Sequence, residues 1–164
     1  MGSLLRTNEE LIQIYNRHVK TVYRVCFLYM KNKADTEDMV QNTFLRLMND
    51  KTVFQSEEHE KAWLIRTAIN LCKDYYRSWW SRTLGLDKAL EVSVEQGFEI
   101  DETLSKVLAL PPKHRAAIYL YYYEGYSTPE IAEMMGKPQS TVRGWLHAGR
   151  KRLKLEIEGE GELA

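Results

Sequence analysis

The sequence predicts an all-α protein made of two small helical domains joined by an acidic linker. Three observations carry that prediction. Apolar residues recur every three or four positions in segment after segment, and no segment alternates with period two for long. N-cap and capping-box residues mark the helix starts, and Gly or Pro marks several ends. Charge is partitioned: residues 1–85 carry net +3, residues 86–102 net −5 and residues 103–164 net +2, in a chain of zero net charge. The expected divisions are a first domain over 1–83, a linker over 84–102 and a second domain over 103–164 that ends in an acidic tail.

The first helix opens at Thr7 with Glu10 at capping-box spacing. Leu11, Tyr15, Val19, Val22, Cys26 and Met30 supply its expected inner face. A second helix follows, with Asp35 as expected N-cap, Glu37 and Asp38 at the positive end of the dipole, and Val40, Phe44, Leu47 and Met48 as its stripe. "KTVFQSEEHE" reads as a polar loop holding Phe54. The third helix, from Glu60 to Arg82, turns Leu64, Ala68, Leu71, Cys72 and Tyr75 inward. The connector has Gly85 and Gly97 and weak periodicity.

In the second domain, "ETLSKVLALPP" stops at Pro111-Pro112, and "KHRAAIYLYYYEG" ends at Gly125, a natural residue just past a helix end. "STPEIAEMMG" pairs Ser127 with Glu130 in a capping box and ends at Gly136; the next helix starts at Pro138. Helix, three-residue turn with Gly, helix is the helix-turn-helix pattern.

No apolar run reaches the length of a membrane span, and the N-terminus has no apolar signal core. Met1-Gly2 starts like a myristoylation site, but Arg6 stands where Ser or Thr is wanted. A cytoplasmic protein without membrane insertion is expected. Cys26 and Cys72 fall on apolar sides of their helices, which fits small buried hydrophobes and leaves a redox pair open. The four His are scattered and have no zinc spacing, so neither metal nor cofactor is expected. No His/Asp/Glu/Ser cluster points to catalysis or to a small-molecule substrate.

"KPQSTVRGWLHAGRKRLK", residues 137–154, holds six Lys or Arg and no acid. On a helical wheel Leu146, Gly149 and Leu153 lie within about 40° of Val142 and form a buried stripe. Arg143, His147, Arg150 and Lys154 form a second stripe about 80° to 140° away, with Gly144 and Lys151 further round. Ser140 and Thr141 occupy the first turn, where backbone N–H groups and the dipole favour phosphate. A solvated basic helix gives the same charge run; the capped helix and glycine turn before it favour a recognition helix whose N-terminal residues meet base edges. Arg143 then pairs with guanine.

The third helix has its own polar stripe, Arg66, Asn70, Lys73 and Arg77, suited to a nucleic-acid backbone. Trp63, Tyr75, Tyr76, Trp79 and Trp80 surround it. Trp63 and Tyr75 read as core, whereas Trp79 and Trp80 fit either core or a stacking platform for bases.

Three segments in this order resemble the bacterial RNA polymerase sigma factors of the sigma-70 class, extracytoplasmic-function group. "DTEDMVQNTFLRL" is similar to the D-x-E-D-x-x-Q-x-x-F motif of conserved region 2. "AWLIRTAINLCKDYYR" is similar to its W-L-x-x-I-A-x-N-x-x-x-D-x-x-R motif, and residues 110–153 resemble region 4. The resemblance spans about residues 8–157 and implies a protein that is not an enzyme. It implies that Asp38, Gln41, Asn42 and Leu45 meet the β′ clamp helices of core RNA polymerase. It implies that the loop 51–60 with Phe54 captures a flipped base of the −10 element of promoter DNA, while Arg66, Asn70, Lys73 and Arg77 hold the strand. The −35 duplex falls to Ser140, Thr141, Arg143, Gly144, His147, Arg150 and Lys151. Further implied are contact with the β flap, passage of the acidic linker through the RNA exit channel, and an anti-sigma factor as partner.

The chain departs from the family pattern at Asn42 (commonly Glu), Ser140 (Gly), Gly144 (Ser), Trp145 (Arg) and Ala148 (Arg). The four changes in the helix-turn-helix segment bear on the −35 preference, and none bears on the fold. Two other readings compete: a helix-turn-helix regulator that acts without being a polymerase subunit, and a small helical enzyme or interaction module.

Overall fold

A computed structural model describes residues 6–83 and 102–159. Residues 84–101 of the expected linker 84–102, residues 160–164 of the acidic tail and the side chains of Trp79 and Trp80 lie outside the described residues. Every regular element among the described residues is helical: α1 (Asn8–Met30), α2 (Lys33–Met48), α3 (Glu57–Thr83), α4 (Glu102–Leu108), α5 (Pro112–Ile118), a π-helical turn (Tyr119–Tyr123), α6 (Thr128–Met135) and α7 (Gln139–Gly159). The chain divides into two compact units, Met1–Glu95 and Gln96–Ala164.

In the first unit α1, α2 and α3 pack pairwise into a three-helix bundle. Thr7 caps α1 through the expected box: its hydroxyl accepts from the Glu10 N–H at 3.1 Å, and its own N–H donates to the Glu10 carboxylate at 2.9 Å. Lys31 ends α1 in the left-handed region, φ 60°, and hands directly to α2. The N-cap of α2 is Asn32 rather than Asp35. The Asn32 side-chain oxygen accepts from the Asp35 N–H at 2.8 Å, and its amide donates back to the Asp35 carboxylate at 3.0 Å. Asp35 thus takes the reciprocal role three residues into the cap.

The inner face of α1 matches the expected one at Val22, Cys26 and Met30 but is rotated in its N-terminal half. Ile14, His18, Val22, Val25 and Cys26 are buried, Leu11 and Val19 are half-buried, and Tyr15 is 45% exposed. The polar His18 conceals this face in the sequence. It is buried because Glu60 of α3 takes its Nε2 at 2.8 Å and also accepts from Arg17 Nε at 3.0 Å. Glu60 is therefore a buried tie between α1 and α3, not part of a polar loop; α3 begins at Glu57 and the loop is confined to residues 49–56. Met48 departs similarly: it is exposed, while Met39, Val40, Thr43 and Leu47 supply the inner face of α2.

Leu64, Ile65, Ala68, Ile69 and Cys72 bury α3, with Leu71 and Tyr75 half-buried. Cys72 and Cys26 are both fully buried. A hydrogen bond with the Cys26 thiol, reinforced by burial, pushes the Cys72 thiol well above its ordinary range, so it is poor in the nucleophilic thiolate.

In the second unit α5 and α6 both pack against α7. Arg115 is buried because its guanidinium closes α4 onto α5, donating to the carbonyls of Leu108 at 3.2 Å and Leu110 at 2.7 Å. The helix expected to run unbroken to Gly125 instead widens into the π turn, and Gly125 follows with φ 76°.

Candidate nucleic-acid interface

The helix-turn-helix is set by local chemistry. Ser127 caps α6 in a full box with Glu130, and Gly136 ends it at φ 66°, a conformation costly for a residue with a Cβ. The Lys137 N–H returns to the Ala132 carbonyl at 3.0 Å, and Pro138 opens α7 by accepting from the N–H groups of Thr141 and Val142. Those two donors are spent inside the turn, which leaves the first turn of α7 to Gln139, Ser140 and the side-chain hydroxyls.

The rotation of α7 about its axis is fixed by its buried stripe. Val142 and Leu146 are buried, and Leu153 is half-buried. A Cβ at Gly149 would stand 2.7 Å from Ile118 Cγ1, so glycine lets α7 lie directly on α5. With that face inward, Ser140, Arg143, Gly144, His147, Arg150, Lys151 and Lys154 are exposed, and Thr141 is half-buried. Trp145 is half-buried at the rim, its ring under the Lys113 ammonium at 5.9 Å. Nothing lies within 4 Å of a Cβ at Gly144.

Arg150 has a partner that sequence reading did not find. Its Nη1 donates to the Tyr122 hydroxyl at 3.2 Å, and the Tyr122 ring stands edge-on to Tyr121 at 4.9 Å. A phenol orients the guanidinium without cancelling its charge.

The first unit carries two surfaces. On α3, Arg66, Asn70 and Arg77 are exposed and Lys73 is half-buried. Arg77 meets Asp74 at 3.3 Å in an exposed pair, a geometry worth little in water. Tyr75 and Tyr76 are committed elsewhere. Burial, with the Asp35 carboxylate beside it, pushes the Tyr75 phenol up, and the Tyr76 hydroxyl donates to the Tyr29 carbonyl. Phe54 is half-buried, edge-on to Trp63 at 5.8 Å and to His59 at 5.3 Å.

The loop 49–56 is held from a distance. The Arg6 guanidinium donates to the carbonyls of Leu47 at 3.2 Å, Asp50 at 2.7 Å and Thr52, and stacks on the Phe54 ring at 4.7 Å. The Thr52 N–H donates to the Asp50 carboxylate at 2.7 Å, and hydrogen bonding with Thr52 holds that carboxyl below its ordinary range, aided by Arg6. Val53, at the loop tip, is 80% exposed.

The second surface of this unit is an open groove of about 620 Å³ between α1 and α2, lined by Tyr15, Val19, Tyr23, Phe44 and Met48 with Asp38, Gln41 and Leu45. Tyr15 and Phe44 meet edge-to-face at 4.9 Å, and Leu45 is 47% exposed. Asn42 is exposed on the same helix beside this lining.

Residues 14–82 match the family model for sigma-70 region 2, and residues 100–153 match that for sigma-70, region 4. The chain is 29% identical over 168 residues to the ECF RNA polymerase sigma factor SigX of Bacillus subtilis (strain 168), covering 92% of this chain and 85% of the relative. It is 29% identical over 157 residues to the ECF RNA polymerase sigma factor SigL of Mycobacterium tuberculosis (strain CDC 1551 / Oshkosh), covering 90% and 89%. Among solved structures, the sigma factor RpoE co-crystallised with the anti-sigma factor NepR from Bartonella quintana matches with TM-score 0.70 at 20% identity, covering 92% of this chain and 95% of that one. CnrH in complex with the cytosolic domain of CnrY matches with TM-score 0.64 at 22% identity, covering 94% and 92%. These two likenesses attest the all-α fold. No helix among the described residues is long and apolar enough to cross a membrane.

Proposed function

The chain belongs to the extracytoplasmic-function group of the sigma-70 family of RNA polymerase sigma factors, and from that membership we propose that it binds core RNA polymerase and directs initiation at specific promoters. The first unit docks on the β′ clamp helices through the α1/α2 groove, with Asp38, Gln41, Asn42 and Leu45 at the contact. Its α3 stripe, Arg66, Asn70, Lys73 and Arg77, tracks the single-stranded −10 element, and the loop bearing Phe54 receives a base taken out of the stack. Unstacking costs a few kcal/mol, which contacts in the loop must offset.

The second unit reads the −35 duplex and meets the β flap. Exposed Arg143 points from the second turn of α7 toward base edges, where a bidentate contact to guanine discriminates by about 1–3 kcal/mol. Ser140 and Thr141 precede it at the phosphates. His147, Arg150 and Lys151 continue along the backbone, and Gly144 admits close approach. The net −5 segment 86–102 suits a channel that otherwise takes RNA. Nucleotide addition belongs to the polymerase. An anti-sigma factor that covers these surfaces is the fitting regulator, as the two solved relatives were each captured with a protein partner.

The observation that carries this reading is the segregation on α7: one stripe, Val142, Leu146 and Gly149, is buried against its own unit, and the other, Arg143, His147, Arg150 and Lys154, is exposed and basic. Co-elution with core polymerase on gel filtration tests the docking half. The full chain is expected to co-elute, and Leu45→Asp to elute alone. A full chain that binds duplex DNA tightly but never core polymerase is a helix-turn-helix regulator instead.

A further inference from the structure

Arg6 precedes the first helix and belongs to none of the surfaces above, yet it makes three hydrogen bonds to residues 41 to 46 positions away. Its guanidinium reaches three carbonyls across the end of α2 and the following loop, at Leu47, Asp50 and Thr52. Its face covers the Phe54 ring. A planar fork with five N–H donors and a stacking face can do both at once; an ammonium cannot. We propose that Arg6 is the positioning residue of the −10 capture loop, holding residues 49–56 in the one geometry that turns Phe54 inward and projects Val53 to the strand. This rests on the loop role proposed above and deepens it.

The physical case has three parts. First, the other ties of the loop are at its ends or within its turn. Asn49 and Asp50 return to α2 through their N–H groups and the Asn49 amide, and Ser56 accepts from the His59 and Glu60 N–H groups. The Gln55 N–H donates to His59 Nδ1 at 3.1 Å, and the Thr52 N–H donates to Asp50. Arg6 is what joins the loop to a segment before α1. Second, Arg6 sits beside an aromatic cluster that already fixes Phe54. Trp63 and His59 each make a T-shaped contact with the ring while Arg6 lies over its face, so the ring is held inward rather than swung out as a stacking platform. Third, the side chain left outside is Val53, at 80% exposure. Exposed apolar side chains wedge between base steps in proteins that unstack DNA. Affinity for a strand falls in proportion to the fraction of time the receiving loop spends in its competent form, so ordering by Arg6 appears directly as capture strength.

The test uses the full chain assembled with core polymerase. A single-stranded DNA library randomised over the −10 positions is selected on wild-type holoenzyme, and the winning strand and its single-base variants become the probes. Arg6→Ala is expected to weaken capture of the selected strand about tenfold and to flatten the ranking of base variants at one or two positions. Core affinity and −35 duplex affinity stay within about twofold. Arg6→Lys keeps charge but not the fork, and is expected to fall between. Unchanged capture and unchanged base ranking in Arg6→Ala would overturn the proposal. So would parallel loss of core affinity, duplex affinity and capture, because that marks a general fold defect. Phe54→Ala and Val53→Gly separate the premises. If both leave capture intact, the loop is not the capture element; if either weakens it while Arg6→Ala does not, only the positioning role fails.

Discussion

Gly149 of α7 and Ile118 of α5 are matched so closely that a Cβ on residue 149 would stand 2.7 Å from Ile118 Cγ1 and 2.9 Å from Cδ1. Cγ1 lies next to the branch of a β-branched side chain and cannot swing away cheaply. Gly149→Ala therefore sets a helix-propensity gain of about 1 kcal/mol against an overpacking cost of about 1–3 kcal/mol. The expected outcome is a net loss of stability in thermal unfolding, relieved when Ile118→Ala is added. Gly144 is the control: with open space around it, Gly144→Ala raises stability by up to about 1 kcal/mol and weakens duplex binding if DNA passes close there.

His114 gives the second unit a pH dependence. Burial, then Arg152 and Lys113, depress its pKa below the ordinary value of 6.5, and its buried Nδ1 has no hydrogen-bond partner among the described residues. The unfolded chain therefore binds the proton more readily than the folded one, so stability rises with pH. It is fully present above the ordinary His range and declines as pH falls through the depressed value. The melting midpoint of the second unit is expected to drop between about pH 7 and pH 5, and His114→Gln to shrink that drop. An identical slope in both proteins rules out His114 as its source.

Duplex binding should separate readers from trackers. Arg143→Ala is expected to cost about 1–3 kcal/mol and relax preference at one base pair. If roughly four cations of α7 meet phosphate, log affinity falls with log salt at a slope of about −3.6. Tyr122→Phe frees Arg150 and is expected to weaken all duplexes alike by less than about 1 kcal/mol. Uniform loss for Arg143→Ala would make it a phosphate contact.

What the sequence made legible is what chemistry keeps local. Both capping boxes, the glycine turn and the two stripes of α7 depend on residues within a few positions of each other, and the structure has them as read. On α1, Val22, Cys26 and Met30 are buried as the periodicity predicts, whereas the N-terminal half turns Ile14 and His18 inward instead of Tyr15, because His18 looks like surface and its partner Glu60 lies 42 residues away. Asn32 outcompeted Asp35 as a cap because α1 stops abruptly at Lys31, which no periodicity announces. Arg6 was invisible for the same reason as Glu60: its acceptors are main-chain carbonyls 41 to 46 residues on, and a carbonyl carries no sequence signature. The Tyr122–Arg150 contact likewise joins residues 28 positions apart, and no local pattern announces the π turn.

If both units act on core polymerase at one promoter, run-off transcription with purified core polymerase, on a template chosen by selection with the holoenzyme, gives a discrete start site that needs this chain. Asn70→Ala is expected to lose open-complex formation while still binding core, and Arg143→Ala to lose template choice. No transcript above that of core alone, or transcripts unaffected by both substitutions, would contradict it.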